Sequence, residues 1–287
     1  MRPFSFLLPM LVLSLAQAQP AVPVKVTSWG RHYGGQVVYS YQVQNDANEP
    51  VKQLLVGHFP DPIRGRAELS EVPAGKRMNF WLTSEGSRSP SGWGALLVYP
   101  EESDTFYINW TEASYFYKLW PGAPAAADAP APVPGNVGIP PGSTENGFVA
   151  MVPVEDLAYV KGHATVVFAS RSVNVELIPG DTVPPLVTLN VNRVNQNATN
   201  GEWAIFNVAF SVVDNFDLSP SSNFEILTSS APAVGDIVLN KNNAAAWNVK
   251  VKNMPGQTYT FRLTASDASG NVAVKDWGYS NPAAKLR

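Results

Sequence analysis

The sequence predicts an all-β protein, two antiparallel β-sandwich domains in tandem, and three observations carry that expectation. Apolar and polar residues alternate along short runs, as in Gln36–Gln44, where Val37, Tyr39, Tyr41 and Val43 share one side. These runs are rich in β-branched and aromatic residues and are bounded by Gly, Pro, Asn or Asp. Sustained helical spacing is hard to find, and 25 Pro and 21 Gly in 287 residues punctuate the chain with turns. A half-buried antiparallel strand produces this rhythm, with one face on a core and the other in water.

The first eighteen residues read as a secretion signal. Arg2 supplies a positive start, the stretch from Phe4 to Leu15 is mostly apolar, and Ala16-Gln17-Ala18 is a small-x-small cleavage site. That apolar run is too short to span a bilayer. The expectation is a secreted or periplasmic bacterial protein with no membrane span once residues 1–18 are removed.

Residues 22–179 are expected to form the first sandwich. The alternation recurs at Met78, Phe80 and Leu82, at Phe106, Ile108 and Trp110, and at Val173, Val175 and Leu177. Seventeen of the 22 residues in 121–142 are Pro, Ala or Gly, a composition that favours extended, solvated backbone. The three strands expected in 143–179 are too few for a core of their own. Residues 121–142 therefore read as an exposed loop within this domain, with an interdomain linker as the alternative.

The run from Ile178 to Pro185 holds three prolines and a glycine and marks the next boundary. About seven strands are expected after it, near 186–193, 203–213, 223–229, 236–240, 245–252, 257–266 and 271–277, in a domain of residues 180–280 with a tail at 281–287. In the sixth, Tyr259, Phe261, Leu263 and Ala265 are expected to point inward.

Four pieces of this second domain, in this order, resemble bacterial immunoglobulin-like and fibronectin-type-III-like repeats. They are Asp181-Thr-Val-Pro-Pro185, Val213-Asp214-Asn215, the run from Pro255 to Tyr259, and the run from Ala265 to Asn271. The resemblance implies a seven-stranded immunoglobulin-like sandwich with Tyr259 as a tyrosine corner, its ring buried and its hydroxyl tied to backbone. The cysteine pair of antibody domains is missing, so Trp247 and Trp203 are the candidates for the core centre. Residues 22–179 look similar to a β-sandwich module of secreted bacterial proteins, matched at Ser89-Pro-Ser-Gly-Trp93 and Glu145-Asn-Gly-Phe148. That resemblance implies secretion and a sandwich, and no chemistry.

Composition narrows the function. A formal net charge of −3 argues against an electrostatic nucleic-acid binder, and the lack of Cys removes disulfides, thiol catalysis and Cys-ligated zinc. His32, His58 and His163 are isolated in sequence, and no nucleophile elbow, zinc-protease helix or phosphate loop occurs. The acidic run Glu101-Glu102-Ser103-Asp104 is the one candidate for a glycosidase acid and reads more simply as a solvated turn.

Aromatics make 11% of the chain and give the first candidate site. Trp81 and Tyr107 fall on faces that the alternation assigns to water, Trp93 sits in the Gly-flanked turn Ser91–Gly94, and Tyr115, Tyr117 and Trp120 crowd just before the Pro-rich loop. Flat rings on a rigid sheet suit sugar rings, because little side-chain entropy is lost on binding. The competing reading places such rings in a core.

Topology gives the second candidate site. In an immunoglobulin-like sandwich, the entry of the first strand shares an end with the loops after the second, fourth and sixth strands. Those segments carry Asp181, then Asp214, Asn215 and Asp217, then Asn240, Asn242 and Asn243, then Asp267, Ser269 and Asn271. Asp and Asn cap turns through their own backbone without an ion, which is the reading the sequence favours and which needs no cofactor. Calcium held by Asp181, Asp214, Asp217, Asp267 and Asn271 is the alternative, since oxygen-rich loops are what calcium takes.

The sequence therefore predicts a secreted, non-catalytic binding or structural module, with polysaccharide or another surface protein as partner. A purely structural envelope component and a small glycan hydrolase are the alternative readings.

Overall fold

The computed structural model describes residues 23–57, 63–64, 80–81, 89–98, 105–119, 132–152, 155–195, 202–229, 235–243 and 245–281. The leader at 1–18, His58, the acidic run 101–104, Trp120, residues 121–131, residues 282–287 and the side chain of Trp81 lie outside them. Within the described residues the chain is mostly β, with two short helices, α1 (Ala113–Leu119) and α2 (Ala158–Lys161). No helix there is long and apolar enough to cross a membrane.

Strands β1 (Val24–Tyr33) and β2 (Gln36–Asn45) form a hairpin whose two-residue turn is Gly34-Gly35. Both glycines have positive φ, 58° and 81°, the backbone that a tight hairpin turn demands and that a side chain would oppose. On β2 the expected face is buried: Val37, Tyr39, Tyr41 and Val43 all lie in the core.

The hairpin belongs to a ten-stranded sheet with β3 (Val51–Val56), β4 (Ile63–Arg64), β5 (Phe80–Trp81), β6 (Trp93–Val98), β7 (Thr105–Glu112), β8 (Thr144–Val152), β9 (His163–Phe168) and β10 (Ser172–Pro179). Its order is β5-β6-β7-β3-β9-β10-β1-β2-β8, with β4 beside β7. The strands after the Pro-rich stretch pair with strands before it: β8 with β2, β9 with β3 and β10 with β1.

One pairing corrects the antiparallel expectation. The first part of β10 runs antiparallel to β9, whereas Leu177, Ile178 and Pro179 run parallel to β1. A strand that changes neighbours along its length makes a corner in a sheet. The two flanks then face each other, so Tyr41 of β2 meets Trp110 of β7 edge-on at 5.5 Å, and Phe148 of β8 meets Trp93 of β6 at 5.2 Å. In the described end of the Pro-rich stretch, residues 132–142, most positions are exposed, and Ile139 is buried and bridges Val51.

The seven strands of the C-terminal part are β11 (Leu186–Arg193), β12 (Trp203–Val213), β13 (Ser221–Thr228), β14 (Ile237–Asn243), β15 (Ala246–Lys252), β16 (Thr258–Ser266) and β17 (Val272–Ser280). They form two sheets, β11-β12-β15-β14 and β13-β16-β17. That is the order of an immunoglobulin constant-type fold, whose first, second, fifth and fourth strands make one sheet and whose third, sixth and seventh make the other. Phe206 and Phe261 fill the space between the sheets with centroids 5.0 Å apart, and Trp247 packs edge-on to Phe224 at 4.8 Å. Tyr259 is buried and donates its hydroxyl to the Lys252 carbonyl oxygen at 2.6 Å, the corner that the resemblance implies. Trp203 is a correction: it opens β12 half-exposed, and Phe206 takes the central place instead.

Candidate functional site

The aromatic candidates do not form one platform. Trp93 is only 5% exposed and lies inside the N-terminal core against Phe148, which contradicts its expected place in a solvent-facing turn. The turn Ser91-Gly92 lies just ahead of it, and Trp93 is the first residue of β6, on the face that Ala95 continues inward. Tyr107 is half-buried on β7, and burial raises its hydroxyl pKa. Tyr115 and Tyr117 are half-exposed on α1, two positions apart, so they look to different sides of that helix.

The side chains that do converge sit where the C-terminal part meets the N-terminal part. Asp217, fully buried in the loop after β12, is the centre of one group. Its Oδ1 accepts from the backbone N–H groups of His32 and Ser219, both at 3.0 Å. Its Oδ2 accepts from the Ala268 N–H at 3.0 Å and lies 2.6 Å from His32 Nδ1. The other ring nitrogen of His32 lies 3.2 Å from Glu155 Oε2. The hydrogen bond to Asp217 raises the His32 pKa to about 9 against the opposing effect of burial, with Glu155 adding to the rise. Burial pushes the Asp217 carboxyl upward, but the hydrogen bonds from His32, Ser219 and Ala268 outweigh it and hold the group below its ordinary value. With both nitrogens facing carboxylates, His32 is a charged clamp.

The turn between β16 and β17 completes the contact. Ala268 is fully buried and belongs to the hydrophobic cluster of the N-terminal part rather than to that of its own sheets. Ser269 and Gly30 exchange two hydrogen bonds, and Lys161 of α2 donates to the Gly270 carbonyl oxygen at 2.8 Å. Gly30 has no side chain here for a steric reason: a Cβ would run into the Ala268 carbonyl. The α2 segment is held in turn by Tyr39 stacked on Tyr159 at 4.4 Å and by Ser28 bonded to the Val160 carbonyl.

Beside this clamp lies a second carboxylate group. Asp181, Asp214 and Asp267 each offer an oxygen within 4.8 Å of the others. Asp181 is 4% exposed and Asp267 fully buried. Local donors occupy part of the set: Val183 N–H bonds Asp181 Oδ1, Phe216 and Asp217 N–H groups bond Asp214 Oδ1, and Asn271 bonds both oxygens of Asp267. Among the described residues, Asp181 Oδ2 and Asp214 Oδ2 are buried without a hydrogen-bond partner. Burial raises the Asp181 pKa, and the neighbouring charges of Asp214 and Asp267 add to it, against the hydrogen bonds from the Val183 N–H and the Asn215 side chain, which lower it.

Two members of the expected oxygen set play other parts. Asp217 is taken up by His32 and three backbone N–H groups, a correction to its expected place among the ligands. Asn271 stands at the edge, its amide donating to Asp267 and to the Asp181 carbonyl. Asn240, Asn242 and Asn243 lie in β14 itself. Sequence reasoning missed His32, Glu155 and Ala268, whose roles depend on contacts 51 to 185 residues away and leave no local signal.

No protein family model matches the chain, and no curated protein matches it. Among solved structures it is similar to the adhesin InvE of Yersinia pseudotuberculosis, at 11% identity and a TM-score of 0.22, over 90% of this chain and 58% of the adhesin chain. The chain thus spans little more than half of that adhesin's length. It is also similar to the titin domains z1z2, solved in complex with telethonin, at 10% identity and a TM-score of 0.21, over 88% of this chain and 93% of the other. The immunoglobulin-like character rests on the strand order and the tyrosine corner described above.

Proposed function

We propose that this chain is an exported, non-catalytic module in which an immunoglobulin-like sandwich, residues 180–280, holds a second sandwich, residues 22–179, in one fixed orientation at or beyond the cell surface. The observation that carries this reading is Ala268, a residue of the C-terminal part buried in the core of the N-terminal part. Two β units on a flexible tether need no such shared residue, and they need no buried Asp217 clamping His32 from the other side. The polar contacts of the junction run from side chains to backbone groups or between side chains, and His32 has no ring nitrogen left to take a proton from a substrate.

The ligand-facing side of the module is the N-terminal part, where Tyr107, Tyr115 and Tyr117 are the aromatic candidates that keep partial exposure. Polysaccharide or another surface protein is the class of partner. The test is co-sedimentation of the purified chain with insoluble polysaccharides, compared with a Tyr107→Ala, Tyr115→Ala, Tyr117→Ala variant. Retention that the triple variant loses supports glycan binding. No retention together with self-association supports the purely structural role, and released sugar would contradict the non-catalytic reading.

A further inference from the structure

We propose that Asp181, Asp214 and Asp267 hold a calcium ion. The claim goes beyond the functional reading above and stands whether or not the module binds a glycan.

The three carboxylates come from three separate segments: the connection into β11, the loop after β12 and the turn after β16. None of them takes part in an ion pair among the described residues. Asp and Asn that only cap turns direct their oxygens to nearby N–H groups. Here Oδ1 of Asp181 and Oδ1 of Asp214 do that, while Oδ2 of each is buried and has no hydrogen-bond partner among the described residues. A buried carboxylate oxygen without a donor is costly, and two beside a third carboxylate repel one another as well. A cation between them removes both costs together.

The donor set selects the ion. All three ligands are oxygens, which excludes a soft site, and the group includes no His or Cys for zinc. Calcium takes six to eight oxygens in irregular geometry and accepts backbone carbonyls and water beside carboxylates. Magnesium demands a tighter octahedron, which three independent loops satisfy less readily. The ion's place also gives it a consequence. Asp214 lies three residues before Asp217, and Asp267 directly precedes Ala268, so two of the three segments it ties are those that enter the junction.

The test is isothermal titration of the chelator-treated full chain with calcium chloride, alone and in excess magnesium. The expected result is one saturable site per chain that magnesium displaces poorly, with a melting temperature that rises with calcium as ligand linkage requires. Asp214→Asn, at the half-exposed ligand, is expected to weaken binding at least tenfold, and Asp181→Asn to abolish it. Asp276→Asn, which removes a surface partner of Arg262, is expected to bind as the parent does. Should Asp181→Asn fail to fold, parent and Asp214→Asn still decide the matter. No heat up to millimolar calcium, or undiminished binding in Asp214→Asn, overturns the assignment.

Discussion

Asp217 bonds His32 twice, accepting the backbone N–H at 3.0 Å and facing the ring Nδ1 at 2.6 Å, across 185 residues of sequence. One buried carboxylate thereby fixes both the path and the side chain of the β1 residue that ends nearest the C-terminal loops. Asp217 also binds Ser219 and Ala268, so it organises its own loop and the neighbouring turn with the same two oxygens.

Replacing Asp217 by Ala should therefore cost far more than a surface ion pair. It leaves the backbone N–H groups of His32, Ser219 and Ala268 without this acceptor and His32 facing Glu155 alone, a loss of about 3 kcal/mol by analogy with broken buried pairs. Chemical denaturation of the variant against the parent measures it. A change under about 0.5 kcal/mol, the range of ordinary surface substitutions, would remove the clamp from the account.

The same pair sets a pH dependence with a defined sign. The His32 pKa is raised, from 6.5 to about 9, so its contribution is fully present below 6.5 and is lost as pH rises through 9. The Asp217 pKa is lowered from 3.8, so its contribution is present above 3.8 and is lost as pH falls below that value. Stability measured by thermal melts should fall between pH 7 and 10, and His32→Gln should flatten that limb. An equal slope in both proteins would show that His32 is not its source.

At Gly30 the prediction is steric. Gly30→Ala places a methyl group against the Ala268 carbonyl, and overpacking of this kind costs about 1–3 kcal/mol. The strain falls on the junction, so differential scanning calorimetry should separate one transition into two while the far-ultraviolet spectrum stays that of β structure. A single unsplit transition at the parent temperature would mean that the contact carries no load.

Trp93→Ala should act as a core truncation. The ring is buried against Phe148, and loss of such a side chain costs about 3–5 kcal/mol. The variant is expected to melt earlier whether or not polysaccharide is present. A variant of unchanged stability that loses a ligand would restore the surface role that the sequence suggests for this residue.

Tyr259→Phe removes one hydrogen bond and little volume. The Lys252 carbonyl loses its 2.6 Å donor and keeps the Met254 N–H at 3.0 Å, so the expected cost is about 1 kcal/mol, read from denaturant midpoints. A neutral substitution would show that water replaces the hydroxyl.

The strands were legible because the chemistry that makes them is local. Tyr259, Phe261, Leu263 and Ala265 alternate with polar residues, and they are the buried face of β16. The bounds of β11 and β12 are likewise those that alternation and the flanking Pro, Gly and Asp residues predict. The carboxylate trio was legible in part, because turn chemistry places Asp at loop starts and the strand order brings those loops to one end. It was not legible which acids would be consumed locally, and Asp217 is consumed by His32. Trp93 was misplaced because the direction of a residue at a strand's first position depends on the turn before it, which alternation does not describe. The parallel register of Leu177 with Val26 depends on a corner in β10 that no run of residues signals. Ala268, a small residue in a Gly-containing turn, has a sequence context like that of any exposed loop, and only the neighbouring core makes it buried.

The most direct test of the fixed junction is the set of amide residual dipolar couplings from the chain in a weakly aligned medium. If Ala268 and the Asp217–His32 clamp hold the two parts as one body, couplings from residues 24–179 and from residues 186–280 fit a single alignment tensor. Two tensors of different magnitude or orientation would show that the parts move independently and would contradict the account.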